Sequence, residues 1–125
     1  MYIPAHYSLT DVDTIKQTLN RNTFITMVSY VNGELIASHI PVLFEWVGED
    51  LFVEGHFAKA NPHTQVVGSS SETMIVVQSH HAYISPSDYV SFPNVPTWNY
   101  LAIHLYGVLD PVSSFELPAM LRRLV

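Results

Sequence analysis

Cysteine is absent from this 125-residue chain, which excludes disulfides, thiolate metal sites and cysteine nucleophiles. Positive charge is scarce: five Lys and Arg stand against eleven Asp and Glu, a formal net charge of −6. The cations are scattered, as Lys16, Arg21, Lys59, Arg122 and Arg123. No stripe of them exists to displace counterions from a phosphate backbone, so direct nucleic-acid binding is not expected. Charged residues make up 13%, about half the ~25% usual in soluble domains. So little charge on a small domain implies apolar surface that another chain covers. No G-x-G-x-x-G, P-loop or HExxH is present, which removes the dinucleotide, ATP and zincin fingerprints. With no basic-then-apolar leader and no apolar run near ~18 residues, no membrane association and a cytoplasmic location are expected.

What is present suits one folded domain over residues 1–125, since 48% of the chain is apolar, enough for a real core. "SLTDVDTIKQTLNRN" predicts a helix capped by Thr10 or Asp11, with Val12, Ile15 and Leu19 at helical spacing. "TFITMVSYV" and "ELIASHIPVLFEWV" read as strands joined by Asn32-Gly33, the strongest short hairpin signal. Pro41 implies an edge or a bulge in the second of them. "DLFVEGH", "SETMIVVQS" and "NYLAIHLYGVLD" supply three more strands. Asn61 as N-cap and Pro62 in the first turn predict a short helix towards Val67. "HHAYISPSDYVSFPNVPTW" reads as a long loop, and loops of that length in compact domains are commonly functional. "SSFELPAMLRRLV" predicts a last helix with a Ser cap. Strands in the middle and helices at both ends indicate an antiparallel barrel of mixed α+β character.

Lys59 in "GHFAKANPH" stands just before the Asn61 helix start. Free amides and a partial positive charge there would favour an anion, and an ammonium would add to them. A solvated loop lysine beside a normally capped helix is the plainer alternative, and both remain open. The seven histidines, His6, His39, His56, His63, His80, His81 and His104, show no metal-ligand spacing, so structural or hydrogen-bonding roles are expected. "GSSSE" lacks a nucleophile elbow and reads as a solvated turn. Glu45, Glu49 and Asp50 read as charge on an exposed hairpin tip. In "VPTWNY", Trp98 and Tyr100 alternate with Asn99. They would suit a planar, heteroatom-rich ring such as a flavin, or serve as ordinary core aromatics.

"GHFAKANPH", "HAYISPSDY" and "VPTWNYLAIHLYG" strongly resemble the signature blocks of the PaiB-like family of FMN-binding negative transcriptional regulators. "MYIPAHYSLTD" and "ASHIPVLFE" match the family's opening and second strand, in the same order. The resemblance implies a split β-barrel like that of the pyridoxamine-phosphate-oxidase fold, mainly β with flanking helices. It also implies a homodimer with FMN between subunits. Its cofactor-binding positions would be Ser38 and His39 from "ASHIP", and His56, Lys59, Ala60 and Asn61 from "GHFAKANP". Thr97, Trp98 and Asn99 follow from "VPTWN". Lys59 stands where many members carry Arg, keeping the charge but losing the bidentate fork. Asp88 stands where a Trp is usual, removing stacking area. Members typically run longer, through a "KLSQN"-like block that this chain lacks, so a missing C-terminal part is expected. Lys59 is the only basic residue in the signature blocks, so weak or absent flavin occupancy is expected. No residue pattern marks a catalytic group or a metal site, and a flavin- or haem-dependent oxidoreductase on the same barrel is the alternative to a regulator.

Overall fold

The first helix begins where its cap is expected. The computed structural model, which describes residues 1–124, has α1 over Val12–Arg21. The Asp11 carboxylate accepts from the Thr14 backbone N–H at 2.8 Å, satisfying one of the amides that a helix start leaves open. The Thr14 hydroxyl, and then that N–H, hold the Asp11 carboxyl below its usual range. Ile15 and Leu19, one turn apart, face the sheet and join its core.

Strands β1 (Phe24–Val31) and β2 (Glu34–Val47) form the expected hairpin. Val31 pairs with Glu34 across Asn32 and Gly33, whose φ values are 50° and 87°, a turn whose twist matches its strands. With β3 (Asp50–Gly55), β4 (Thr73–Ile84) and β5 (Thr97–Gly107) they form one antiparallel sheet, in the order β3-β2-β1-β4-β5. Helix α2 spans Leu117–Leu124. It follows Ser113, whose hydroxyl accepts from the Glu116 N–H at 3.2 Å and donates to the Glu116 carboxylate at 2.7 Å. Val125, the last residue of the expected helix, lies outside the described residues. The architecture is mainly β with flanking helices and is consistent with the split-barrel FMN-binding fold. The sheet does not close: β3 and β5 are its two ends.

Pro41 ends the stretch of β2 that has a partner on one side only, as the edge reading expects, and it marks a change of partner. Up to Pro41, β2 pairs with β1; from Val42 onward it pairs with β3. Pairing between β1 and β4 covers only Thr26–Ser29 and Thr73–Val76. The outer half of β4 is therefore held by β5, and the outer half of β2 by β3. These two arms leave the sheet at the same end, where β1 begins.

The long loop is shorter than its sequence suggests. β4 continues through His80 and His81 to Ile84, and β5 starts at Thr97, leaving a connection of residues 85–96. A register shift between Gln78 and His81 sets three steps of β4 against two of β5. This bulge breaks the alternation that would have revealed the strand. The helix expected after Asn61 is a 3-10 turn, Pro62–Val66.

The register assigns each side chain to a face. Ile25, Met27, Ser29, Val77 and their partners point inwards, where Leu19 and Val42 complete a buried cluster flanked by Phe44, Trp46, Ile75 and Leu105. The other face carries Phe24, Thr26, Val28 and Tyr30 of β1, opposite Pro41, His39, Ala37 and Leu35 of β2. It continues through Met74 and Val76 to Tyr106 and His104, and past the bulge to Tyr83 and Trp98. Leu19 of α1, His63 of the 3-10 turn and Met120 of α2 all pack on the inner side. The outer face is left uncovered, with Leu35 73%, Tyr30 62% and Trp98 55% exposed.

Candidate functional site

The chain leaves β3 at Gly55 and crosses the inner side of the sheet before entering the 3-10 turn at Asn61. Gly55 lies so close to β2 that an added Cβ would stand 2.9 Å from a Val42 methyl and 3.3 Å from the Pro41 carbonyl. That contact starts the crossing segment tight against the sheet. Asn61 fastens its other end: its side-chain oxygen accepts from the His63 N–H at 3.0 Å, and its amide group donates to Ser38 Oγ at 2.8 Å. Ser38 thus has its lone pair engaged and its own proton free to donate.

Between these anchors, His56 and Lys59 rim a cavity of about 440 Å³ floored by Ile25, Met27, Val42 and Met120. Lys59 is exposed and makes no salt bridge among the described residues. Glu54 and Asp110 line the same cavity. Glu54 is already engaged by Arg123, whose guanidinium nitrogen lies 2.8 and 2.6 Å from its two carboxylate oxygens. That pairing, the hydrogen bond first, raises the Arg123 pKa and takes one negative charge away from Lys59. The expected amide-rich helix start is not there. Pro62 has no N–H, and those of His63 and Thr64 are both taken by Asn61, at 3.0 Å each. The positive character of this place rests on side chains.

The remaining positions lie elsewhere. His39 is on the outer face, with Nδ1 3.0 Å from Thr26 Oγ1 and its ring stacked on Phe24. Thr97, Trp98 and Asn99 open β5 on the far arm, and all are exposed. Trp98 and Tyr100 share the outer face as their spacing predicts, while Asn99 between them points the other way. The Trp98 indole contacts His81 at 5.7 Å and Tyr83 at 6.1 Å between ring centroids. Within the chain, then, Ser38 and Asn61 come together, and His56 joins Lys59, while the indole belongs to a separate aromatic group. Ala60, between Lys59 and Asn61, is exposed.

Sequence reasoning missed a buried polar chain behind this segment. His63 is fully buried, and its Nδ1 lies 3.0 Å from Ser29 Oγ, itself 2.7 Å from Thr73 Oγ1. The available signal was Ser29, the one polar residue in the inward alternation Ile25, Met27, Ser29, Val31. No group of three or more His, Asp or Glu residues that could hold a metal is found among the described residues.

The chain is a small, mainly antiparallel β protein consistent with an open split barrel, with an exposed lysine beside a largely apolar cavity and a separate aromatic arm. Residues 1–125 match the family described as "Putative FMN-binding domain", and the chain belongs to that family. It is 38% identical over 117 residues to the Bacillus subtilis protein "Protease synthase and sporulation protein PAI 2", an alignment covering 94% of this chain. It spans 56% of the length of that relative. A Saccharomyces cerevisiae protein, YKL070W, is 27% identical over 129 residues, covering 86% of this chain and 76% of its own. The donor chemistry fits FMN: an ammonium, an imidazole and a hydroxyl suit a phosphate, and an exposed indole suits a flat ring. No helix among the described residues is long and apolar enough to cross a membrane.

Proposed function

We propose that this chain binds FMN as a homodimer and serves a PaiB-like role in negative regulation of transcription, in the cytoplasm. When bound, FMN supplies a redox-active planar ring and a phosphate. Lys59 would meet the phosphate, with Ser38 and His56 donating beside it, while Asn61 holds Ser38 and the crossing segment in place. Thr97, Trp98 and Asn99 would meet the ring, and His39 and Ala60 complete the neighbourhood. The observation that carries this reading is the separation of the two groups. A single chain puts Lys59 at the inner-side cavity and the Trp98 indole on the outer face of the other arm, and a second copy would supply the missing half. The uncovered outer face supports the homodimer, because an apolar face of that extent is what a partner covers. Regulation would run through protein contacts, since a chain of net charge −6 with scattered cations offers nothing for a phosphate backbone.

The test is absorbance of the purified protein in the flavin bands, then FMN titration of the parent, Lys59→Ala and Trp98→Ala. Loss of affinity in both variants is expected. An affinity unchanged in Lys59→Ala would remove that residue from the phosphate site, and no binding by the parent would overturn the cofactor reading. Salt-sensitive binding to DNA in a gel shift would overturn the assignment to protein contacts.

A further inference from the structure

None of the eleven acidic and five basic residues stands at the outer-face positions of β1, the paired half of β2, β4 or β5. On a chain of net charge −6 this is where two copies can meet without opposing like charges. The face is not free of titratable groups. His39 on β2, His81 on β4 and His104 on β5 all stand on it. The other titratable groups that share these strands' outer face are the phenols of Tyr30, Tyr83, Tyr100 and Tyr106. Past Pro41 the same alternation reaches three carboxylates on the β2–β3 arm, Glu45 of β2 and Asp50 and Glu54 of β3, the last of them held by Arg123. His80 is exposed in the bulge beside His81.

We propose that this face is a self-association surface released by acid: a second copy covers it only while His39, His81 and His104 are uncharged. The proposal rests on the homodimer reading and adds its regulation. Covering an imidazolium with the apolar part of this face, which carries no carboxylate on β1, β4, β5 or the β1-paired half of β2, removes its hydration and returns no counter-charge. His104 already has Nδ1 buried without a partner, so its protonated form would hold a donor with no acceptor. His81 lies on the Trp98 ring, which in the open protomer favours the cation. Protons therefore bind the free protomer better than the covered one. Association is strongest above the ordinary imidazole pKa of about 6.5 and is lost as pH falls below it. One pH unit below, each imidazole kept neutral weakens association roughly tenfold, so a histidine covered in both copies weakens it about a hundredfold.

Sedimentation velocity of the full chain at about pH 8 and about pH 5.5, at fixed ionic strength, tests this. A dimer is expected at the higher pH, with a dissociation constant about a hundredfold or more larger at the lower. The His39→Gln/His81→Gln/His104→Gln variant is expected to associate alike at both. Single His81→Gln and His104→Gln variants, each with a reduced pH effect, serve if the triple variant fails to fold. An equally tight parent dimer at both pH values overturns the proposal, as do variants that dissociate just as the parent does. Dissociation accompanied by loss of the far-ultraviolet circular dichroism signal would assign the effect to unfolding and overturn it as well. A monomer at the higher pH would instead overturn the homodimer reading beneath it.

Discussion

The imidazole of His63 lies 3.0 Å from the hydroxyl of Ser29, both side chains buried in the inner layer, while the other ring nitrogen, Nε2, is buried with no partner. Protonation would put two N–H donors where there is one acceptor, so the neutral ring is the one that fits. Burial accordingly lowers the His63 pKa. Above the unfolded value of about 6.5 both states are neutral and His63 adds no pH dependence. Below it the unfolded chain takes a proton that the folded chain refuses, so stability falls with pH until the depressed folded pKa is passed. Thermal midpoints between about pH 7.5 and pH 5 should therefore fall less steeply in His63→Gln than in the parent. Equal slopes would show that His63 does not titrate in this window.

Asn61 closes the segment that carries Lys59 by bonding both the His63 N–H and Ser38. Asn61→Ala should lower stability by about 1 kcal/mol, the usual loss for a cap, measured by urea denaturation. It should also weaken FMN binding without removing any charge. Restored affinity in Asn61→Ser, whose hydroxyl keeps a capping oxygen but which lacks the amide that reaches Ser38, would show that the cap alone matters.

Much of this was legible in the chain. Asn32-Gly33, the Asp11 cap, Asn61-Pro62 and the Ser113–Glu116 pair each act within four residues, so local chemistry decides them. The misread region, His80 to Trp98, failed because one extra residue in β4 shifts the alternation, and three nearby prolines look like loop. The uncovered face was legible only as a shortage of charge. "TFITMVSYV" is apolar on both sides, and telling Met27 from Tyr30 needs the register with β2 and β4. That Lys59 and Trp98 belong to different parts of the chain's fold was beyond the sequence, because strand order is a long-range property.

Helix α2 is held in two places by different forces. Arg123 forms an exposed pair with Glu54 through one guanidinium nitrogen, whereas Met120 is buried at 1% exposure. Exposed pairs are screened and give little, while truncating a buried methionine costs about 2–5 kcal/mol. Met120→Ala should thus lower the urea midpoint far more than Arg123→Ala, and only the Arg123 effect should shrink with added salt. A larger loss in Arg123→Ala would mean that the ion pair, not the buried contact, holds α2.

Two glycines should answer the same substitution oppositely. At Gly55 a new methyl would meet Val42 at 2.9 Å and the Pro41 carbonyl at 3.3 Å. Val42 is buried at 3% exposure and cannot swing aside into solvent, so β2 and β3 would have to separate where β2 changes partner. Overpacking of this kind costs about 1–3 kcal/mol. At Gly107, the end of β5, nothing lies within 4 Å of the added carbon and the backbone is not left-handed. Alanine there restricts only the unfolded chain, so Gly107→Ala should be neutral or stabilising by up to about 1 kcal/mol. Urea denaturation of both variants measures the contrast. Because Gly55 opens onto His56 and Lys59, FMN titration of Gly55→Ala should show weakened binding, while Gly107→Ala should bind as the parent does. Comparable losses of stability in the two would mean that the approach of Gly55 to Val42 does not govern this turn.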